Sequence, residues 1–466
     1  MDSPTPMARR TVMVVGDLAG PDRYHAGDEA MTEAALDLLA SDRPASDLRV
    51  VVTSSDPAST ASRLRCEATG WVGFAQCADE AARLRMLNVL TADVVAALRS
   101  GDTTSLPDLL AEVVGADAIL IAGGGNLNSH WPEHLYERVV IARAAKAVGI
   151  PVAISGQTIG PRIDDHHRAL LVELMESSDV VGLREHRSYD LAVELGVDPD
   201  RLMLQADDAL LLAGSQTPTL PDGFDPGTPD RPRRFLAVTI HPFAAPDDPR
   251  MASIGTQLAT VAHRVGAQLL FVPHMRGPEG PNGTTDADVA NHLAHITGGW
   301  SMDSPDAGDV IWAARHAWVV VSTRYHPVVF ATGAAVAPLA LLWDHYTAVK
   351  CRGALDHVGL GSWWVGINEA ADGALEPALA EVTRRRTEIV SWLHLNRPHL
   401  ESLEAHRRFR ITAALGLTER RTPDRPGIAR GNDGQHRPAN GDVVPDLRSP
   451  GRTVPRPAGH WTQSQR

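Results

Sequence analysis

The sequence predicts an α/β protein of two Rossmann-like domains facing across a cleft, followed by a disordered C-terminal tail. Three observations carry this. Apolar runs of about four to eight residues recur, each followed by a Gly- or Pro-marked loop and a helical pattern, as in a parallel sheet covered on both faces. The alternation halts once, in a stretch rich in Pro, Gly and Asp, and then restarts. A chain of 466 residues, 43% hydrophobic and 22% charged, is long enough for about two or three domains with large cores.

In chain order, residues 1–10 read as a disordered N-terminus and 11–16 (TVMVVG) as the first strand, with helical spacing over 28–40. Strands follow at 48–55 and at 116–126, the latter running into a glycine loop, and 133–148 reads as a helix ending at Gly149. Residues 151–156 and 179–185 are two more strands, and 186–195 a helix, which completes a first domain over 11–213. Residues 214–234 read as the linker. The second domain, 235–417, has strands at 234–243, 267–275, 316–327 and 337–343, a helix at 251–265 and a terminal helix over 397–416. From 418 to 466 there are 13 Gly or Pro in 49 residues and almost no apolar periodicity, a composition that cannot offset the entropy of ordering.

Composition narrows the function. With 44 basic and 57 acidic residues the formal net charge is −13, which argues against a nucleic-acid partner held on a broad basic surface. Cys66, Cys77 and Cys351 are too few for a disulfide scaffold and match no zinc spacing, so reduced thiols and a cytoplasmic location are expected. No segment reaches the ~18 apolar residues of a membrane span, and the first apolar run stops at Asp17, too soon for a signal peptide. The 20 histidines are scattered without HExxH or paired ligand spacing, so no metal is expected.

In two such domains ligands bind beyond the carboxyl ends of the strands, and polar motifs sit at those positions. In HAGDEA (25–30), Asp28 and Glu29 either stabilise a helix N-terminus or face the cleft, with Gly27 admitting a ligand and Asp28 acting as base for a sugar hydroxyl. In IAGGGNLNSHW (121–131), Gly123, Gly124 and Gly125 allow close backbone approach to a ligand. Asn126, Asn128 and Trp131 would add hydrogen bonds and a stacking face. In ISGQTIGPR, Gln157 and Thr158 can bond a ligand or merely form a turn. Arg184 ends a strand and either enters the cleft or pairs with Glu185 or Asp207. The strand at 316–327 delivers Ser322, Thr323, Arg324, Tyr325 and His326 in a row, a guanidinium and an imidazole at a helix start, suited to a doubly charged anion. The alternative reading makes His326 an N-cap and Arg324 a surface ion pair. Lys350 is one of two lysines in a chain that otherwise uses arginine. His274 and Arg276 follow another strand, ahead of a long Gly/Pro loop that could act as a lid.

Taken together, GDEA (27–30), GGGN (123–126), GQTIGP (156–161), REHRSYDLAVELG (184–196), ADD (206–208), VPH (272–274), STRYHP and the Tyr346-to-Lys350 pair resemble the polysaccharide pyruvyl transferase family in order. The family's usual Arg-Leu-His is Arg324-Tyr325-His326 here, which keeps the charged pair. The resemblance implies a GT-B-like pair of domains, phosphoenolpyruvate as donor, a saccharide or lipid-linked saccharide acceptor, and a cyclic pyruvate ketal as product. It also implies no cofactor, no metal and no nucleotide sugar. In that scheme Arg324, Arg184, Lys350, Ser322 and Thr323 hold the donor, His326 is the acid, and Asp28 or Glu29 takes hydroxyl protons. The glycine loop, Gln157, Thr158 and His274 complete the site. A peripheral position at a membrane surface stays open. The alternatives are a GT-B glycosyltransferase using a nucleotide sugar and a non-catalytic glycan-binding protein.

Overall fold

The computed structural model describes residues 9–41 and 48–417; the expected disordered tail, and all but the last two residues of the expected disordered N-terminus, lie outside them. The strands are β1 (Arg10–Leu18), β2 (Leu48–Ser54), β3 (Glu67–Thr69), β4 (Ala118–Ile121), β5 (Gly124–Leu127), β6 (Val152–Ile159), β7 (Val180–Leu183), β8 (Leu202–Leu204), β9 (Gly227–Thr228), β10 (Arg231–Pro232), β11 (Phe235–Thr239), β12 (Gln268–Phe271), β13 (Trp300–Ser301), β14 (Val319–Ser322), β15 (Ala337–Leu342) and β16 (Trp364–Gly366).

The first sheet runs β3-β2-β1-β4-β6-β7-β8, with β5 paired to β6, and the second runs β13-β12-β11-β14-β15-β16. Every pairing in both is parallel, with β1 set against β4 (Val12 opposite Ala118) and β11 against β14 (Leu236 opposite Val319). Both central strands are continuous apolar runs because helices cover both faces. These are the two Rossmann-like α/β domains expected. The stretch between them contains the short antiparallel ribbon of β9 and β10.

Two of the sequence readings that change concern the extent of these elements. The ISGQTIGPR segment is strand through Ile159, not loop, so Gln157 and Thr158 lie inside β6 and are buried. Polar residues are tolerated there because each donates to an internal partner, Gln157 Nε2 to Ala122 O (2.5 Å) and Thr158 Oγ1 to Glu185 (2.5 Å), while Gln157 Oε1 is left without one. The terminal helix begins earlier, at Arg386, and runs to Ala414.

Two elements tie the domains together. The helix Ala26–Ala40 places Ala26, Ala30 and Met31 in the second domain's core, and Ala35, Leu38 and Leu39 against the first sheet. Its start is stitched across by Ala26 N donating to His274 O (3.1 Å) and Arg276 N to Tyr24 O (2.8 Å). The terminal helix does the reverse, with Leu393, Leu400 and Leu403 in the second core and Ile411 against the first sheet. Its buried Arg407 lies 3.5 Å from Asp208 and 2.7 Å from Glu404.

Candidate active site

The carboxyl ends of β1 and β14 meet at the domain junction. His25 caps the helix Ala26–Ala40, its Nδ1 accepting from Asp28 N (3.2 Å). Gly27, in the first turn, lies against the His326 ring so closely that a Cβ there would overlap it. The sequence reading gave Gly27 to a ligand; the structure gives the space to an imidazole from the other domain. His326 opens the helix Tyr325–Gly333 beyond β14. It stacks with His274 at 5.9 Å between ring centroids, and His25 meets His274 edge-on at 5.0 Å. Both ring nitrogens of His274 and Nε2 of His326 are buried without a hydrogen-bond partner. The nearest carboxylate to His326 Nε2 is Asp207, at 3.8 Å. Burial holds both imidazoles well below their ordinary value, helped by Arg184 and His274 at His326 and by His25 and Arg324 at His274.

The cations are differently placed. Arg184 is fully buried and takes the paired alternative: it bonds Asp207 (2.7 Å) and Thr158 (2.9 Å), with its guanidinium over the Tyr325 ring at 4.4 Å. Arg324 bonds Asp286 Oδ1 (2.6 Å) and also Glu279, on the Gly/Pro loop. A buried guanidinium needs counter-charge, and these two carboxylates supply it. Ser322 and Thr323 serve the turn: Ser322 Oγ accepts from Arg324 N (2.9 Å) and Thr323 Oγ1 from His241 N (2.6 Å). Lys350 sits over the Tyr346 ring at 3.8 Å, and burial, with Arg184 nearby, lowers its ammonium to about 8.

Across from them, Asp28 lies 3.2 Å from His25 Nδ1, its carboxyl raised by burial against the pull of His25. Glu29 does not join it: it pairs with Arg63 (2.6 Å), and burial raises it to about 7. The glycine motif is mostly engaged within the protein. Gly123 N donates to Asp208 (3.2 Å), while Gly124 and Gly125 open β5 rather than a loop. Gly125 O accepts from Tyr346 Oη (2.7 Å), an approach that a Cβ at Gly125 would block. Asn128 accepts from His130 N (2.7 Å), Trp131 meets Tyr346 edge-on at 5.4 Å, and Asn126 donates to Asp17 (2.9 Å).

Several site residues escaped the sequence reading. Asp17, at the end of β1, is held by Arg138 (2.7 Å) and His134 (3.0 Å). Its one signal was the abrupt end of the first apolar run. His134 lies within an ordinary helical pattern and had none. Asp207, in the ADD motif, is a partner the sequence offers for Arg184, whereas Glu279 and Asp286 stand in a loop and helix whose pairing to Arg324 no spacing announces. Elsewhere Glu80, His166 and His167 bring ligand atoms within 4.8 Å of one another, but Glu80 Oε1 already accepts from Tyr136, and Arg83 lies 3.6 Å from Glu80.

Fold and site thus define a two-domain α/β protein of the GT-B arrangement, with imidazoles, cations and a carboxyl gathered at the domain junction. Solved structures share that arrangement. A UDP-GlcNAc 2-epimerase from Neisseria meningitidis bound to UDP-GlcNAc aligns with a TM-score of 0.53 at 10% identity, over 88% of this chain and 100% of that one. A putative UDP-N-acetylglucosamine 2-epimerase from Listeria monocytogenes gives 0.54 at 13%, over 89% and 98%. An Anabaena protein in complex with UDP and glucose gives 0.50 at 11%, over 88% and 100%. At such identities the likeness is one of fold. None of the curated proteins is similar enough to register as a relative. The chain belongs to the polysaccharide pyruvyl transferase family, whose model matches residues 25–345. Among the described residues no helix is long and apolar enough to cross a membrane.

Proposed function

We propose that the protein transfers the enolpyruvyl-derived group of phosphoenolpyruvate to a sugar diol, forming a cyclic pyruvate ketal on a glycan or glycolipid precursor. The observation that carries this reading is the seating of His326 against the first turn of the helix that bears Asp28, with Lys350 and Arg184 alongside. A proton-transfer group from one domain thereby lies against the first turn of the helix that carries a carboxyl of the other. The donor's phosphate and carboxylate suit Lys350, Arg184 and Arg324, and a donor reaching Arg324 competes with Glu279 for it. His326 is neutral while the site lacks that negative charge; a bound polyanion raises its proton affinity and so loads the acid. His326 then protonates the donor CH2, leaving an oxocarbenium at C2. One hydroxyl adds there, phosphate departs, and the second hydroxyl closes the ring. Asp28 takes a hydroxyl proton. In this reading no metal or cofactor takes part.

The test is product release from the purified full chain with methyl α- and β-hexopyranosides as acceptors. We expect phosphate from phosphoenolpyruvate, dependent on the acceptor. Release of nucleotide from UDP-sugars instead would transfer the protein to the glycosyltransferases that share its fold. Release of neither would leave a glycan-binding protein and refute the proposal.

A further inference from the structure

Ketal formation removes two hydroxyl protons from the acceptor, and Glu29 is engaged by Arg63, which leaves Asp28 facing the junction without a second carboxylate of its own helix. A different group completes the first domain's side of the cleft. His134 stands in the first turn of the helix Pro132–Val148, with its Nδ1 3.0 Å from Asp17 Oδ1. Asp17 is itself fixed: Arg138 Nη2 and Asn126 Nδ2 both donate to its other oxygen, at 2.7 and 2.9 Å. Asp17 Oδ1 makes no hydrogen bond of good geometry, so the carboxylate holds the ring by charge at 3.0 Å, drawing Nδ1 toward it and leaving Nε2 as the nitrogen able to take a proton. His134 keeps 28% of its side chain accessible whereas Asp17 keeps 5%, so the exposed member of the pair is the one that can meet a substrate.

We infer that His134 is a general base for the acceptor, oriented by Asp17 as a positioning residue, so that Asp28 and His134 each serve one of the two hydroxyls. This rests on the pyruvyl-transfer reading above. In the step assigned to His134, the acceptor oxygen bonds to C2 as its O–H bond breaks, and the proton passes to Nε2. Of the two protons lost by the diol, one replaces that given by His326 to the donor CH2 and the other leaves with phosphate. The ionisable groups around the ring are Asp17 on β1, Arg138 and Glu133 on its own helix, and Asp28 on the helix Ala26–Ala40, whose own proton affinity His134 lowers. Burial weakens the proton affinity of His134, and Asp17 outweighs burial and raises it.

The experiment uses the full chain, phosphoenolpyruvate and methyl hexopyranosides, with His134→Gln and Asp17→Asn variants. Glutamine can still donate to Asp17 but cannot accept a proton. Wild-type phosphate release is read first; its absence overturns the underlying reading and this inference with it. Given wild-type turnover, His134→Gln is expected to lower kcat roughly 10²–10⁴-fold and leave the KM for phosphoenolpyruvate within about twofold. It should also remove the His134 ionisation from the rising limb of kcat against pH, leaving that of Asp28. Asp17→Asn should shift that limb to lower pH, because the residue that raises the imidazole is gone. A His134→Gln enzyme that keeps its melting temperature, with kcat within about threefold of wild type, overturns the assignment. So does a limb that stays in place in both variants. If Asp17→Asn fails to fold because Arg138 loses its partner, His134→Gln decides alone.

Discussion

Gly27→Ala tests the domain junction most directly, because two general rules give it opposite signs. In a helix interior, alanine is favoured over glycine by about 1 kcal/mol. At Gly27 the new Cβ would stand 2.7 Å from Cγ of His326 and closer still to two other ring atoms. Carbon atoms prefer separations of about 3.5–4.0 Å, and the nearer ring carbon, Cε1, would stand at 2.3 Å, so something must move by at least about 1.2 Å. The ring has little room to yield: His274 stacks on one side at 5.9 Å, and Phe330 and Tyr325 pack at 5.8 and 5.0 Å. Overpacking of this kind costs about 1–3 kcal/mol, a fall of roughly 2–12 °C in melting temperature for a domain of about 200 residues. If the domains instead separate slightly, stability falls less and turnover more, since a ~1 Å misplacement at a reacting centre can cost about 10²-fold. Calorimetry and phosphate release on one sample read both. Gly115→Ala is the control: nothing lies within 4 Å of its added Cβ, so it should be neutral or slightly stabilising. A Gly27→Ala protein with wild-type melting temperature and wild-type rate would show that the helix and His326 do not meet as described.

Two further outcomes separate roles that the sequence leaves merged. Asp28→Asn should lower kcat about 10²–10⁴-fold, while Glu29→Gln should stay within about threefold, because Glu29 serves Arg63; equal losses in steady-state kinetics would put both carboxyls in the chemistry. His357 Nε2 donates to the Arg184 carbonyl (2.8 Å), and burial pushes its imidazole down to about 4. Its folded value lies below the unfolded value of about 6.5, so the unfolded chain binds more protons as pH falls, and the wild type loses stability progressively from about 6.5 toward 4. His357→Asn removes that penalty, so its melting temperature relative to wild type should improve between pH 7.5 and pH 5; a constant difference would refute the burial argument.

Period and punctuation sufficed to read the two-domain alternation, because a buried parallel strand must be apolar whatever it touches. Polar motifs behave differently. A run such as Gly123-Gly124-Gly125-Asn126 or Arg324-Tyr325-His326 states which chemistry is available at a strand end, but not whether that chemistry is already engaged. Gly123 donates to Asp208, Asn126 to Asp17, and Arg324 to Asp286; these partners lie 85, 109 and 38 residues away in sequence. Nothing in the sequence marks such pairs. The same limit hid His134, whose partner Asp17 comes from another element, and it let Glu29 share the role of Asp28, since adjacent residues on a helix look alike until Arg63 is seen to claim one of them.

The partners also change what the motif residues can do. Had Arg184 and Arg324 stood free, the cleft would hold a strong fixed positive field, and His326 would be still harder to protonate. With Asp207, Glu185, Glu279 and Asp286 beside them, much of that charge is balanced before any ligand arrives. Lys350 differs: its ammonium lies over the faces of Tyr346 and Tyr325, at 3.8 and 5.7 Å, with Asp28 and Glu185 acting on it only through the wider field of the site, and aromatic faces attract a cation without neutralising it. An incoming polyanion would therefore meet Lys350 as net charge and the arginines as hydrogen-bond forks to be shared. Its own negative charge is then the largest change the site undergoes, and that is what would turn His326 from a neutral imidazole into a proton donor. Binding of the donor and arming of the acid would thus be one event, so that the acid is loaded only when there is a donor to protonate.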